Sequence, residues 1–294
     1  PSAQSVVQIA RLLQQGLQTP IELRRHRILA ATSMGATYVE SGLQRAEEVM
    51  READIALSAA KSPGSSRLVT YSSAMQTHLL QLVSLEGDLQ QALERQEFRL
   101  VFQPIVDLRP GKPFAYEALI RSKSKAFPDP PAILSAAIES KVMGRIGRVI
   151  RELAAADCPD APLFLNIHPN ELDDSWLVRP DDPIFGHEHP VYLEITESVP
   201  LTHFRFCHGM LREVRARGAC LAVDDLGAGY SNLKYIADLN PEVVKLDRDL
   251  VAGLRGGSRL HKLVVSIVRL CNEMGASVVA EGIETYDEFA AARD

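Results

Sequence analysis

Apolar positions recur at helical spacing at the start of this chain and in short strand-length runs over its later two thirds. Residues 3 to 14 form an amphipathic helical pattern. In "LQRAEEVMREADIALSAAKSPG" the residues Leu43, Ala46, Val49, Met50, Ala53, Ile55 and Ala56 also keep helical spacing, and Pro63 and Gly64 close the pattern. Between them, "IELRRHRILAATSMGATYV" predicts a hairpin whose second strand carries Ile28, Ala30 and Thr32. Residues 1–74 therefore read as a small partial α+β segment, with too little apolar material to be comfortable alone. Over residues 75–96, Leu79, Leu82, Val83, Leu85, Leu89, Ala92 and Leu93 make one apolar stripe. The stripe is too short and irregular for sustained heptads, so a connecting helix is expected.

From residue 97 to residue 294 the pattern alternates between strand and helix. "RLVFQPIVDL" and "FAYEALI", separated by the turn "RPGKP", predict an antiparallel pair. Helix is expected from Pro131 to about Ala156, over Phe204 to Arg217, over Ser231 to Ala237 and over Leu260 to Met274. These alternate with the strands "LFLNI", "VYLEIT", "CLAVDDL", "EVVKLD" and "SVVAEGI". Repeated strand–helix–strand order implies an α/β fold with a parallel sheet and helices outside it. The count is seven strands, and "YDEFAAARD" begins the next helix, so a barrel missing its eighth strand is expected to have an open seam with exposed edges.

Composition changes this picture little. The chain has 294 residues, 46% of them hydrophobic, enough for a sizeable core. A formal net charge of -6 argues against binding large nucleic acids, whose phosphates attract a basic surface. Cys158, Cys207, Cys220 and Cys271 lack the spacing of a zinc site or a disulfide framework, which suits the reduced thiols of a cytoplasmic protein. No run reaches membrane-spanning length, so no direct membrane contact is expected, although a larger parent protein can still be membrane-associated.

The chemistry gathers at the strand ends: Glu117, Glu194, Asp224 with Asp225, Lys245, then Glu281 and Glu284. Strands that repeatedly end in charge can deliver side chains to one barrel rim. Glu117, Asn166, Glu194 and Asp224 offer the hard oxygen ligands that suit Mg²⁺ or Mn²⁺, and Asp225 can turn towards a second ion. Lys245 can balance developing charge on a phosphate, and Glu281 can complete a metal shell or take a proton. Taken singly, each glutamate is more often a solvated strand end or a salt-bridge partner. Together they would repel one another without a cation. Gly227 and Gly229 in "GAGY" permit a tight loop beside the aspartates but are a weak phosphate motif. Arg121 can reach an anionic phosphate or simply form a surface ion pair, and His168 in "NIHP" fits a turn better than a metal ligand.

The ordered set "FQPIVDL", "EALIR", "LNIHP", "LEITES", "DDLGAGYSNL", "VVKLD" and "AEGIET" strongly resembles the EAL-type cyclic di-GMP phosphodiesterase family. The resemblance implies a modified TIM-type barrel with an antiparallel first strand. It also implies hydrolysis of cyclic di-GMP, a bacterial second messenger, to linear pGpG with Mg²⁺ or Mn²⁺, two ions in the active state. By it, Glu117, Asn166, Glu194, Asp224 and Asp225 bind metal, Lys245 and Glu281 are catalytic, and Gln103 and Arg121 contact the dinucleotide. Glu197 anchors the loop over residues 226 to 232, Glu284 is a further acid near the site, and a homodimer is implied. The chain departs from the family at Leu226, Ala228, Asn232 and His168, and it ends before the family's glutamine-glycine motif on the last strand. "ILAATSMGATYV" and the segment after it resemble the C-terminal part of a GGDEF-type domain without its catalytic loop, which excludes cyclase activity here. Two competing readings are a non-catalytic cyclic di-GMP receptor and a regulatory dimerisation module.

Overall fold

The computed structural model describes residues 3–17, 21–23, 26–28, 32–39, 44–61, 67–172, 175–196, 201–228 and 233–293. The chain divides into two compact units, Pro1–Leu85 and Glu86–Asp294. In the first, helix α1 (Ala3–Leu17) is followed by an antiparallel pair, β1 (Ile21–Leu23) with β2 (His26–Ile28). The expected hairpin is therefore present but shorter: Thr32 lies beyond β2, and Ala30 is outside the described residues. Strand β3 (Met34–Ala36), helix α2 (Ala46–Ala60) and strand β4 (Leu68–Thr70) then form a parallel β-α-β unit that the sequence pattern did not reveal. Three-residue strands are too short to display a period, so only the pairing identifies them. At Gly35 any Cβ would overlap the α2 backbone at Ala53 and Leu57, so glycine lets β3 lie directly on that helix. Pro63 and Gly64 fall outside the described residues. Helix α3 (Ser73–Glu94) occupies the expected connector and runs across the boundary between the units.

The second unit is a curled seven-stranded sheet in sequential order from β5 to β11. Strand β5 (Phe98–Asp107) pairs antiparallel with β6 (Lys112–Ser122). Strands β7 (Leu163–Asn166), β8 (Val191–Thr196), β9 (Cys220–Leu226), β10 (Val243–Leu246) and β11 (Ser277–Ala280) follow, each parallel to its neighbour. The α/β barrel-type fold with a reversed first strand is thus present.

The expected helix from Pro131 to Ala156 is instead two, α4 (Pro130–Glu139) and α5 (Met143–Asp157). Between them Lys141 adopts φ 58, and Val142 N donates to Ala137 O at 2.9 Å, a left-handed helix ending that hydropathy does not register. The helix start is explicit in sequence: the Asp129 carboxylate accepts from Ala132 N at 2.9 Å, and prolines occupy the first two helical positions. The remaining helices are α6 (Pro169–Leu172), α7 (Leu201–Ala216), α8 (Lys234–Leu239), α9 (Arg248–Val251), α10 (Arg259–Glu273) and α11 (Tyr286–Arg293).

Helix α11 begins with a capping box. Thr285 Oγ1 accepts from Glu288 N at 3.2 Å, while Glu288 Oε2 accepts from Thr285 N at 2.9 Å and Glu284 N at 3.0 Å. Its other oxygen, Oε1, accepts from Gly253 N at 2.7 Å, tying the helix to the segment after α9. These bonds, led by the one from Gly253, push the carboxyl pKa from 4.5 down to about 2. A depressed acid contributes stability that is complete above its ordinary value and disappears as the pH falls towards the folded-state value. Glu288→Gln is therefore expected to lower the melting temperature at neutral pH, with the gap from the native protein closing between pH 4.5 and about 2. A gap unchanged on acidification would contradict this role.

Candidate active site

Alternation along the strands builds the site in two layers. Ala115, Phe164, Ala222 and Val243 form a buried apolar cluster, with Ile105, Tyr192 and Val279 packed against it. Phe164 and Tyr192 stack with ring centroids 4.4 Å apart. Successive same-face residues in a strand are two apart, so one step further along β6 to β10, and just past the end of β11, come Glu117, Asn166, Glu194, Asp224, Lys245 and Glu281. On reversed β5 the step runs backwards from Ile105 to Gln103, which pairs directly with Glu117. An apolar floor thus carries a polar layer above it, and the register aligns it: Asn166 is opposite Glu194, and Asp224 is opposite Thr196.

Lys245 lies at the centre and is only 2% exposed. Its Nζ is 2.7 Å from Glu194 Oε1, 2.7 Å from Glu281 Oε1, 3.1 Å from Glu117 Oε2 and 3.1 Å from Asp224 Oδ1. Asn166 Nδ2 donates to Glu117 Oε1 at 3.0 Å. Burial disfavours the ammonium, but Glu194, Asp224 and Glu117 outweigh it and hold the Lys245 pKa above its ordinary value. Burial raises the Glu194 pKa well above normal, with Lys245 opposing and Glu117 and Asp224 reinforcing the shift. Burial likewise raises that of Glu281, against the bond from Lys245.

The paired aspartates owe their geometry to an irregularity. Pairing between β9 and β10 shifts register across Asp224 and Asp225, and Asp225 takes φ 58, a left-handed conformation that aspartate tolerates better than most residues. The bulge brings neighbouring side chains together where a regular strand would send them to opposite faces: carboxylate oxygens of Asp224, Asp225 and Glu281 lie within 4.8 Å of one another. Gly227 follows at φ 116 against Leu250.

Other candidates stand outside this cluster. Arg121 shares the Glu117 face of β6, but its Nη1 donates to Ile120 O at 2.8 Å, and a separation of four strand residues corresponds to about 13 Å. Exposed Glu284 pairs with Arg248 at 3.0 Å rather than with Lys245. The His168 ring accepts from Asn170 N at 3.2 Å, at the start of α6. Glu197 and Gly229 lie outside the described residues. Sequence reasoning missed a buried ionic group outside this cluster: Arg151 contacts Glu171 at 2.7 Å and Asp182 at 2.9 Å. Its faint signal was an arginine on the otherwise core-facing side of α5.

A lysine ammonium has three donors, so it cannot satisfy four surrounding carboxylates. Glu194 Oε2 is buried without a hydrogen-bond partner among the described residues, and Oε1 meets only the shared Lys245 ammonium. An all-oxygen set with excess negative charge and an orphaned buried acceptor fits a hard divalent cation. Among the described residues, no helix is long and apolar enough to cross a membrane.

The EAL domain family profile matches residues 86–294. Cyclic di-GMP phosphodiesterase PA2567 of Pseudomonas aeruginosa is 31% identical over 220 residues, covering 70% of this chain and 38% of that protein. Cyclic di-GMP phosphodiesterase NbdA of the same organism is 25% identical over 302 residues, covering 97% of this chain and 38% of that protein. The chain thus spans well under half the length of either relative. Among solved structures, the calcium and cyclic di-GMP complex of Klebsiella pneumoniae BlrP1 aligns with a TM-score of 0.58 at 29% identity, covering 68% of this chain and 52% of that one. The cGMP-bound EAL enzyme Bd1971 aligns with a TM-score of 0.62 at 26% identity, covering 83% of this chain and 68% of that one. With more than half of its length matched by the family profile, this chain belongs to the EAL domain family.

Proposed function

We propose that this protein hydrolyses cyclic di-GMP to linear pGpG with Mg²⁺ or Mn²⁺, and that Glu117, Asn166, Glu194, Asp224 and Asp225 hold the metal. The observation that carries this reading is the convergence of four carboxylates on buried Lys245 while Glu194 Oε2 keeps no partner among the described residues. Five carboxylates against one ammonium leave four formal negative charges, which two divalent ions would balance. When bound, such ions stabilise charge on the phosphate and lower the pKa of an attacking water.

The chain's own groups have distinct tasks. Lys245, held as the ammonium, stabilises negative charge that builds on the phosphate oxygens. Glu281, whose raised pKa favours proton uptake, accepts a proton from the water as its oxygen bonds to phosphorus. The phosphorus–O3′ bond breaks, and the departing oxygen takes a proton from solvent to leave a 3′-hydroxyl and a 5′-phosphate. Gln103, beside Glu117, contacts the dinucleotide, as does Arg121 further along β6. Family resemblance supports a homodimer and a GGDEF-like origin for residues 1–74.

The deciding experiment is chromatographic detection of pGpG after incubation with cyclic di-GMP and Mg²⁺ or Mn²⁺. Product is expected from the native protein and none from Glu117→Ala. Folded native protein that binds cyclic di-GMP without forming pGpG would instead establish a receptor.

A further inference from the structure

Just after the strand that carries Asn166, Glu171 on α6 joins a charged group the hydrolytic reading does not use. Arg151 on α5 is 1% exposed, and its partners Glu171 and Asp182 are 1% and 2% exposed. The guanidinium donates from Nη1 to Glu171 Oε2 at 2.7 Å and from Nε to Asp182 Oδ2 at 2.9 Å. Asp182 Oδ1 in turn accepts from Ile184 N at 3.3 Å. One helical turn before Arg151, a Cβ on Gly147 would overlap the Glu171 carboxylate, so α5 supplies both the space and the countercharge for that side chain.

The free end of this group grips the chain just after Asn166. Glu171 Oε1 accepts from His168 N at 3.1 Å, and Glu171 N donates to His168 O at 2.8 Å, so both backbone groups of His168 are bound to one residue. Ile167 N meanwhile donates to Glu194 O at 2.9 Å, continuing the β7–β8 ladder. Asn166 is therefore followed directly by two anchored residues, Ile167 in the ladder and His168 in the Glu171 clamp. Burying three charges is a costly way to gain stability alone, since well-packed apolar residues often serve as well. It does impose a defined direction on the backbone it grips.

We propose that Glu171, locked by Arg151 and Asp182, is a positioning residue for Asn166, fixing the exit of β7 so that the Asn166 amide meets Glu117 and the metal-binding layer. This rests on the metal-dependent reading above, and its test is separable from that reading. The side-chain amide resonance of Asn166, assigned by its loss in Asn166→Asp, is followed in metal-free native protein, Glu171→Ala and the milder Glu171→Gln. Mn²⁺ affinity is then titrated for the same proteins and in an Asn166→Ala background. Glu171→Ala is expected to displace the Asn166 resonance and weaken Mn²⁺ binding by about 10-fold, as for other partners that orient a ligand. Glu171→Gln, which retains an acceptor for His168 N, is expected to recover most of that loss, and the effect should vanish when Asn166 is already alanine. An Asn166 resonance unmoved in folded Glu171→Ala and Glu171→Gln, or a loss of affinity that adds fully to Asn166→Ala, would overturn the proposal. Absence of pGpG alongside a displaced resonance would overturn hydrolysis alone.

Discussion

Lys245→Met is expected to reduce pGpG formation by at least about 100-fold, the loss typical when a group that stabilises transition-state charge is removed. It is also expected to cost about 3–5 kcal/mol of folding stability in metal-free protein, the range for breaking a buried charge pair by deleting one member. The cause is local: with the ammonium gone, Glu117, Glu194, Asp224 and Glu281 share a little-exposed space without their common cation. Mn²⁺ should restore part of the lost stability by replacing that charge, while leaving turnover low. Denaturant unfolding in EDTA and in Mn²⁺, with a pGpG assay on the same samples, checks all three outcomes. A variant as stable as the native protein in EDTA would mean that the carboxylates do not depend on Lys245.

Glu194→Gln should separate function from stability in the opposite direction. Glu194 is 1% exposed, its Oε1 shares Lys245 with three other carboxylates and its Oε2 has no hydrogen-bond partner among the described residues, and leaving a buried polar group unsatisfied costs about 1–3 kcal/mol, more when it is charged. The neutral amide removes that charge from the acidic layer, so metal-free Glu194→Gln is expected to be more stable than the native protein by about 1–3 kcal/mol. Mn²⁺ affinity should fall by at least about 100-fold, beyond the loss typical of partners one step removed from the ion. At a concentration 100 times the native dissociation constant, Mn²⁺ stabilises the native fold by about 2.7 kcal/mol through mass action, and nearly all of that gain should be absent in the variant. Thermal melts with and without Mn²⁺ provide the measurement. An equal metal-induced shift in both proteins would remove Glu194 from the ligand set.

These two variants bracket the design of the layer. Its four carboxylates share one ammonium, so their mutual repulsion strains the metal-free fold. Lys245 relieves part of that strain and Glu194 retains most of it, which is why their substitutions are expected to shift stability in opposite senses.

Much of this arrangement was legible in the residue pattern. Strands ending in Glu117, Glu194, Asp224 and Lys245 could be recognised because a barrel strand needs an apolar run, and a charge that ends one must face the rim or solvent. The seven strands and the reversed first pair followed from run lengths and the "RPGKP" turn. Two features escaped because they depend on backbone conformation or on contacts distant in sequence. The break at Lys141 between α4 and α5 is a left-handed residue with no glycine to announce it. The group formed by Arg151, Glu171 and Asp182 spans 31 residues from end to end, and no local periodicity reports a partner at such a distance.

Residue order along each strand was enough to determine which side chains reach the barrel rim: a period of two sets each candidate site residue one step above an apolar floor residue, and that relation is local. Tertiary structure alone decided which atoms meet. Sheet register sets Asn166 beside Glu194, the bulge at Asp225 turns adjacent aspartates into neighbours of Glu281, and curling brings Lys245 within 3.1 Å of Glu117, 128 residues away. Those distances depend on how separate strands are aligned and bent, and no single segment of the chain encodes that.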